Sequence, residues 1–333
     1  MRVLYVNNYC ASKADMIDCE RNNFSLAHTW GISSLLENKN IDLDFADSSC
    51  VLKEKNRMVR IFFTFIFQLK LVRKYLKYDV IYAASAHCID LFSILKKIGI
   101  YKGKLICVIH HPYNIVCAKY YYKIICFSLY TKIFIEKKYN LNNVIFKYWG
   151  CYFPFYKANL PNTFVIKYDF YSNGKSFRDF SLLSAALHST KYSALVLSNK
   201  KEENYFDSDI KVIQYANQKD NINYLCQSKV MIVPVVKNHK GVCGVTSIND
   251  ALALNKPLLI SNSCNLGFSA EEAGIGLTYT AGDLEDLKNK MRVILIPEVY
   301  NSIKKTMMKF SKDNEYSKFE NLIKNLITEE NIC

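Results

Sequence analysis

Residues 230–262 read VMIVPVVKNHKGVCGVTSINDALALNKPLLISN, and this stretch decides the fold prediction. It begins with a continuous apolar run, passes through a loop with two glycines, and continues through a segment of helical spacing into a second apolar run. Continuously apolar strands that alternate with helices are typical of a parallel sheet covered on both faces. The stretch therefore predicts one strand–helix–strand unit of a doubly wound sheet.

The loop of this unit carries most of the candidate binding residues. Gly241 and Gly244 have no side chain and allow a ligand to approach the backbone closely. Thr246 or Ser247 can cap the helix that follows. The first N–H groups of that helix, from Val245 onward, then form an anion site that suits a diphosphate.

Asp250 lies about one turn into the same predicted helix. In that position its carboxylate can accept hydrogen bonds from the hydroxyl groups of a ribose. The alternative is a plain strand–helix–strand unit, in which Asp250 is only a favourable charge in the first turn. The spacing alone leaves both interpretations open.

The same alternation runs along the whole chain of 333 residues, a length that suits two domains of about 150 residues each. A Pro-bearing stretch at 154–161 separates two such patterns. We predict an α/β protein with domains at 1–153 and 154–310 and a helical tail at 311–333. In the first half, helices are expected at 24–38, 57–76, 88–98 and 116–127, and a strand followed by a short helix at 131–139.

Charge and cysteine usage limit the function classes. The formal net charge is +14, but no nucleic-acid-binding motif accompanies it, and we predict no nucleic-acid partner. The twelve cysteines form no C-x-x-C pair, which argues against a zinc ribbon or a thioredoxin motif. Together with the lack of an export signal, they predict a cytoplasmic protein. The D-x-D triplets at 42–44 and 207–209 are interpreted as surface carboxylates, and no metal site is predicted.

The basic stretch LKEKNRMVRIFFTFIFQLKLVRKYLKY, residues 52–78, is the strongest candidate for a membrane contact. Its apolar centre, 61–67, is much shorter than the roughly 20 residues needed to span a bilayer. A helix lying on an anionic lipid surface fits the basic residues on either side, which are Arg57, Arg60, Lys70, Arg73, Lys74 and Lys77. The alternative is a buried helix with solvated basic ends.

The run at 230–262 resembles the donor site of GT-B glycosyltransferases of family 4. That family commonly shows a Gly-rich loop followed by E-A-[ML]-[AS]-x-[GN]-K-P, and this chain reads D-A-L-A-L-N-K-P from Asp250. Asp replaces the usual Glu, and Val242 stands where the first Glu of the family's paired motif falls. Three further segments resemble family motifs in the expected order: YWGCYFPFY (148–156), YSNGKSFRDFSLL (171–183) and GIGLTYTAGDLEDL (274–287).

The resemblance implies two Rossmann-like domains that face each other across a cleft, with a C-terminal helix that crosses back to the first. The N-terminal domain would bind the acceptor and the C-terminal domain a nucleotide-sugar. Lys175 and Arg178, in the turn that begins with Gly174, would neutralise the departing diphosphate. His110 or His111 would be a general base or a sugar contact, with an ordinary loop histidine as the alternative. His87 and His239 are weaker candidates.

The function implied is transfer of a sugar from a UDP- or GDP-linked donor to an acceptor hydroxyl, with retention of configuration and with no cofactor or metal. A basic N-terminal face suits a glycan or lipid-linked glycan acceptor, as in bacterial surface-polysaccharide assembly at the inner face of the cytoplasmic membrane. Two alternatives remain: a sugar-nucleotide epimerase on the same fold, and a non-catalytic basic scaffold that binds membrane or nucleic acid.

Overall fold

A computed structural model describes residues 1–7, 16, 25–48, 51, 56–174, 176–198, 210–214, 216–266 and 268–329. The chain divides into two units. The first unit contains Met1–Trp149 together with Tyr316–Cys333, and the second contains Gly150–Glu315. Each unit holds one six-stranded sheet.

The sheet of the first unit has the order β2-β1-β3-β4-β5-β6, and all its neighbouring strands are parallel. Each residue of β3 and β4 is buried, as expected for apolar strands covered on both faces. The strands are β1 (Arg2–Asn7), β2 (Asp42–Asp47), β3 (Val80–Ala83), β4 (Lys104–Ile109), β5 (Lys123–Cys126) and β6 (Val144–Phe146), and the helices are α1 (Arg57–Tyr75), α2 (Asp90–Lys97) and α3 (Leu129–Tyr139).

The sheet of the second unit has the order β12-β11-β10-β7-β8-β9 and is also parallel throughout. This is the Rossmann order, and it reverses between β7 and β10, where open α/β sheets bind their ligands. The strands are β7 (Tyr168–Asn173), β8 (Ala194–Leu197), β9 (Lys211–Ile213), β10 (Ser228–Val233), β11 (Leu258–Ser261) and β12 (Gly276–Tyr279), and the helices are α4 (Phe153–Asn159), α5 (Phe180–Thr190), α6 (Gln218–Cys226), α7 (Val245–Ala253), α8 (Leu284–Ile294) and α9 (Pro297–Asp313).

The helix predicted at 24–38 is wrong. Two short 3-10 helices, Leu26–Thr29 and Ile32–Leu35, occupy the described part of this segment. Trp30 and Gly31 separate them in left-handed conformation, with φ of 54° and 83°. An α-helix cannot continue through such residues, so the segment turns where the periodicity predicts a continuous helix.

Two further predictions in the first unit are wrong. The segment 116–127, predicted as a helix, contains β5, and 131–139, predicted to begin as a strand, lies within α3. Helix α3 begins after Ser128, whose hydroxyl accepts a hydrogen bond from the Thr131 N–H at 3.3 Å. Short apolar runs do not distinguish a buried strand from a helix, so the apolar pattern alone could not assign these two segments.

The last described helix, α10 (Tyr316–Thr328), belongs to the first unit. Its first residue is fully buried, and the Tyr316 hydroxyl accepts a hydrogen bond from the Gly31 N–H at 2.7 Å. The same hydroxyl donates to the Leu26 carbonyl at 2.9 Å. One phenol therefore satisfies the Gly31 N–H, in the turn between the two 3-10 helices, and links it to the Leu26 carbonyl.

Replacing this phenol tests how strongly α10 holds the turn. We expect Tyr316→Phe to lower the free energy of unfolding by about 1–3 kcal/mol, because the Gly31 N–H would remain buried without an acceptor. Urea unfolding measures the change. The control is Tyr300→Phe, which removes a long exposed hydrogen bond to the Lys229 carbonyl and should change stability by less than about 0.5 kcal/mol. Equal effects of the two substitutions would contradict the role given to Tyr316.

Candidate active site

The candidate site lies at the carboxyl ends of β7 and β10, where the strand order of the second sheet reverses. Residues 174–179, the first loop, connect β7 to α5, and residues 234–244, the second loop, connect β10 to α7. Arg178 and Val235 form an antiparallel bridge between the two loops. The loops therefore support each other at the switch point, the position that the Rossmann order favours for a ligand.

The Arg178 guanidinium ties these loops to the start of α7. Its Nε donates to the Asn173 carbonyl at 2.9 Å, and Nη1 donates to the Ser176 carbonyl at 3.0 Å and to the Cys243 sulfur at 3.1 Å. Nη2 donates to the Ser247 hydroxyl at 3.2 Å. A guanidinium has five N–H donors, so the described residues leave one donor on Nη2 for a ligand.

Two predicted glycines lie beside this guanidinium, and one of them makes room for it. Gly174 has φ of 127°, and a Cβ at that position would overlap the Arg178 side chain. Gly244 has φ of 85°, and a Cβ there would lie 2.5 Å from Val233 Cγ1 and 3.8 Å from Nη2 of Arg178. Both positions therefore require glycine, for backbone conformation and for space.

Helix α7 begins after Gly244, which is its N-cap and provides no side-chain hydrogen bond. The prediction that Thr246 or Ser247 caps this helix is therefore wrong. Thr246 is exposed, whereas Ser247 is buried against Asn173. Without a capping side chain, the N–H groups of the first turn, from Val245 onward, remain available to an anion.

A chain of buried hydrogen bonds continues inward from Arg178. The Ser247 hydroxyl donates to Oδ1 of Asn173 at 2.5 Å, and Nδ2 of Asn173 donates to Oδ1 of Asn221 at 2.6 Å. Nδ2 of Asn221 then donates to the Asp250 carboxylate at 2.8 Å. Each step donates in the same direction, from the cation towards the anion, so the bonds polarise one another.

The Asp250 carboxylate ends this chain. Its second oxygen accepts from the Tyr156 hydroxyl at 2.7 Å, and Asn221 is held from the other side by the Tyr171 hydroxyl at 2.6 Å. Burial raises the pKa of Asp250 to about 6, and the hydrogen bonds from Tyr156, Asn221 and Asn173 act against that rise. The ribose contact predicted for Asp250 stays a prediction, since both carboxylate oxygens are engaged by neighbouring side chains.

Lys256, from the K-P pair of the motif, holds the helix that supplies Asn221. Its ammonium donates to the carbonyls of Cys226 and Ser228 at 3.0 and 2.7 Å, just where α6 ends. Burial lowers the pKa of Lys256 to about 8. This lysine therefore stabilises the end of α6 as a cation and lies apart from the loops of the site.

The other predicted residues of the second unit have separate outcomes. Lys175 lies outside the described residues. Gly241 is buried, and its carbonyl accepts a long hydrogen bond from Asn265 at 3.3 Å. The His239 ring lies 4.3 Å from the ring of Phe177, and burial, together with the charge of Arg178, lowers the pKa of this histidine.

His110, the residue after β4 in the first unit, packs among aromatic rings. Its ring centre lies 4.7 Å from that of Trp30 and 5.3 Å from that of Phe127. Burial, with a smaller effect of His111, lowers the pKa of His110 to about 4, so the imidazole is neutral at pH 7. Its Nε2 is buried and has no hydrogen-bond partner among the described residues.

The two other candidate histidines of the first unit differ from His110. His111 is exposed. His87 stacks on Tyr113 with ring centres 4.2 Å apart and lies 3.5 Å from the Asp90 carboxylate. Of the three candidate histidines of the first unit, His110 is therefore the one whose buried ring nitrogen lacks a partner among the described residues.

In the described ranges, no three His, Cys, Asp or Glu side chains come together in a group that could hold a metal ion. The triplet at 42–44 lies at the start of strand β2, where the Asp44 carboxylate accepts a hydrogen bond from the Tyr78 hydroxyl. The triplet at 207–209 lies outside the described residues.

Comparison with known proteins identifies the fold. No protein-family model and no curated protein sequence matches this chain. Solved structures do match over nearly the full length. A glycosyltransferase from Rickettsia africae has a TM-score of 0.63 at 14% identity, covering 99% of each chain. HepE from Anabaena, in complex with UDP, has a TM-score of 0.67 at 13% identity, covering 98% of this chain and 100% of that one.

A sucrose-phosphate synthase from Thermosynechococcus elongatus matches with a TM-score of 0.71 at 11% identity, covering 98% of each chain. The chain has the GT-B fold. This confirms the predicted α/β class with its two Rossmann-like sheets.

Three polar residues of this GT-B chain were missing from the predicted site: Asn173, Asn221 and Tyr156. Asn173 is the last residue of β7, and the rule that ligands bind at the carboxyl end of a switch-point strand could have indicated it. Asn221 and Tyr156 lie in helices far away along the chain. Tyr156 is the last residue of the motif-like segment 148–156, but nothing in that segment links it to Asp250, and the surroundings of Asn221 carry no motif. Only the packing of α4 and α6 brings them to Asp250.

The directed chain can be tested at its anionic end. Asp250→Asn replaces one carboxylate oxygen by an NH2 group, which cannot accept the hydrogen bond that this oxygen takes from Asn221 or Tyr156. Wild type gains stability as pH falls from about 6 towards 4, because the folded state holds a proton on Asp250 that the unfolded state, with its pKa of 3.8, still lacks. We therefore expect the variant to be destabilised more at pH 5 than at pH 7.5.

Urea unfolding at the two pH values measures this difference. The control is Asp42→Asn, at an exposed position of β2. A destabilisation by Asp250→Asn that is equal at both pH values would show that the buried carboxyl does not titrate in this range.

The effect of pH on stability through His110 has the opposite sign. Its pKa falls from 6.5 to about 4 on folding, so the unfolded chain takes up a proton first and stability is lost as pH falls through this window. Because His110→Gln has no imidazole to protonate, we expect it to lose up to about 3 kcal/mol less stability than wild type between pH 6.5 and pH 4. The free energy of unfolding at the two pH values measures this difference. His188→Gln, at an exposed position of the second unit, is the control. The same pH dependence in wild type and His110→Gln would contradict the burial effect.

Proposed function

We propose that this protein is a glycosyltransferase that takes a sugar from a nucleoside diphosphate sugar bound by the second unit. One observation carries the proposal. The Arg178 guanidinium contacts the start of α7, which has no side-chain cap, at the switch point of a Rossmann sheet. An arginine fork and a helix N-terminus both favour a diphosphate. The GT-B fold of the chain agrees with this activity.

In the reaction proposed, an acceptor hydroxyl attacks the anomeric carbon while the bond from that carbon to the diphosphate oxygen breaks. The departing oxygen takes the electron pair, negative charge grows on the diphosphate, and the proton of the acceptor hydroxyl passes to that departing oxygen. The free donor on Arg178 Nη2 and the first N–H groups of α7, from Val245 to Ser247, would stabilise this charge. Lys175, in the same turn as Gly174, would add a second positive charge.

UDP is the first nucleotide to consider, and GDP the second. HepE was solved with UDP and with UDP-glucose, and it shares the fold over nearly the whole chain. We propose a UDP-linked donor on this basis. The predicted ribose contact of Asp250 would require the ribose to approach a carboxylate that already accepts from Tyr156 and Asn221.

We assign the acceptor to the first unit. The buried Nε2 of His110 has no partner among the described residues. Because the imidazole is neutral at pH 7, it is better suited to a hydrogen bond with a sugar hydroxyl than to the role of a general base. The acceptor proposed is a glycan or lipid-linked glycan of bacterial surface-polysaccharide assembly, used at the cytoplasmic face of the membrane. Retention of configuration stays a prediction. Proton NMR of the product tests it by identifying the anomer formed.

Titration calorimetry with UDP, GDP and their sugars, without added metal, tests the donor site. We expect Arg178→Ala to weaken binding of the preferred nucleotide by about 10- to 100-fold, the usual effect of losing a charge-assisted hydrogen bond. Arg178→Lys keeps the charge but loses the fork, so its binding should be intermediate. The control is Arg292→Ala, at an exposed position of α8.

Three results would redirect the proposal. Failure of the folded wild type to bind any of these ligands would favour the scaffold alternative. Conversion of the donor sugar to its epimer without an acceptor would favour the epimerase. Full affinity in a folded Arg178→Ala protein would place the nucleotide elsewhere.

A further inference from the structure

Helix α1 exposes a continuous apolar face to solvent. Its large side chains recur at intervals of three and four residues, so they line one side of the helix. This apolar face consists of Met58, Ile61, Phe62, Phe65 and Leu69, with exposed fractions of 73%, 54%, 60%, 52% and 43%. Contiguous apolar surface of this kind marks an interaction site in a water-exposed protein.

The opposite side of α1 faces the core of the first unit. Gln68, Leu71 and Tyr75 are buried there. The Gln68 side chain donates to the His87 carbonyl at 3.1 Å and accepts from the Leu91 N–H at 2.6 Å. The helix is thus held through its second half, while residues 57–63 are all exposed. The alternative of a buried helix with solvated ends is therefore wrong for its apolar centre.

The charges of α1 all have one sign. The helix contains no acidic residue, and its cations are exposed at Arg57, Arg60, Lys70, Arg73 and Lys74. Helix α2 packs beside it and adds exposed Ile94 and Ile98 next to Lys97. Helix α1 itself therefore combines aromatic and aliphatic side chains with positive charge only.

We propose that α1 docks this protein on an anionic lipid bilayer, lying in the interface with its apolar face among the acyl chains. Lipid is the occupant that matches both properties, because acyl chains accept the apolar face and anionic headgroups attract the flanking cations. A second copy of this helix would bring cations against cations. A nucleic acid would match the charge but leave the phenylalanines in water.

In the part of the chain that the structure describes, no helix is long and apolar enough to span a bilayer. The docking surface belongs to the first unit and is independent of the diphosphate site in the second. Its test can therefore succeed or fail separately from that of the proposed transferase activity.

Vesicle co-sedimentation of the full chain tests the proposal. We expect at least tenfold stronger partitioning onto vesicles of phosphatidylglycerol and phosphatidylcholine than onto phosphatidylcholine alone, and weaker partitioning at high salt. Phe62→Ser with Phe65→Ser should reduce partitioning about tenfold or more. The control for these is Val165→Ser with Met308→Ser, two exposed apolar positions of the second unit.

Charge reversal provides a second, independent arm. Arg60→Glu with Arg73→Glu should lower partitioning onto the anionic vesicles about tenfold or more, whereas Lys305→Glu with Lys309→Glu, the same charge change on α9, should not. Thermal unfolding followed by circular dichroism verifies that each variant is folded.

Equal partitioning onto both kinds of vesicle, or equal losses in the control variants, would overturn the proposal. So would a wild-type dimer, seen by light scattering without lipid, that the phenylalanine substitutions dissociate. That result would assign the surface to a second copy of the chain.

Discussion

The proposed donor site depends on one directed chain of hydrogen bonds, from Arg178 through Ser247, Asn173 and Asn221 to Asp250. The direction is fixed by chemistry, since a guanidinium can only donate and a carboxylate can only accept. Each hydroxyl and amide between these ends accepts from one neighbour and donates to the next. A buried chain of this kind is stable only when every member is satisfied, which makes the set behave as one unit.

This chain couples elements that are distant in sequence. Asn173 ends β7, Asn221 lies in the middle of α6, and Ser247 and Asp250 lie one turn apart on α7. The first turn of α7 therefore has N–H groups available to a ligand, while the side chains of Ser247 and Asp250 fix this turn to the core of the unit. Lys256, at the end of α6, holds the helix that supplies Asn221. Residues of the motif and residues outside any motif thus hold the same site in place.

The first unit uses aromatic residues in two opposite ways. Trp30 and Phe127 pack against His110, Trp149 stacks on Trp30, and burial among these rings keeps the imidazole neutral. On α1 of the same unit Phe62 and Phe65 face solvent beside cations. Local sequence does not separate the two cases, because both lie in aromatic-rich segments. The difference arises from which face of each element the sheet covers.

The sequence by itself determined the class of fold and the positions of the loops that form the proposed donor site. Continuous apolar strands alternating with helices require a parallel sheet, and Gly174, Arg178 and Gly244 fall in its switch-point loops because those loops follow from strand order. Tertiary structure alone decided what completes the site. Tyr156 and Asn221 reach Asp250 only through packing. In the left-handed turn at Trp30, the Gly31 N–H is satisfied by Tyr316 of α10. Such side-chain contacts between distant segments leave no periodic signal in the sequence.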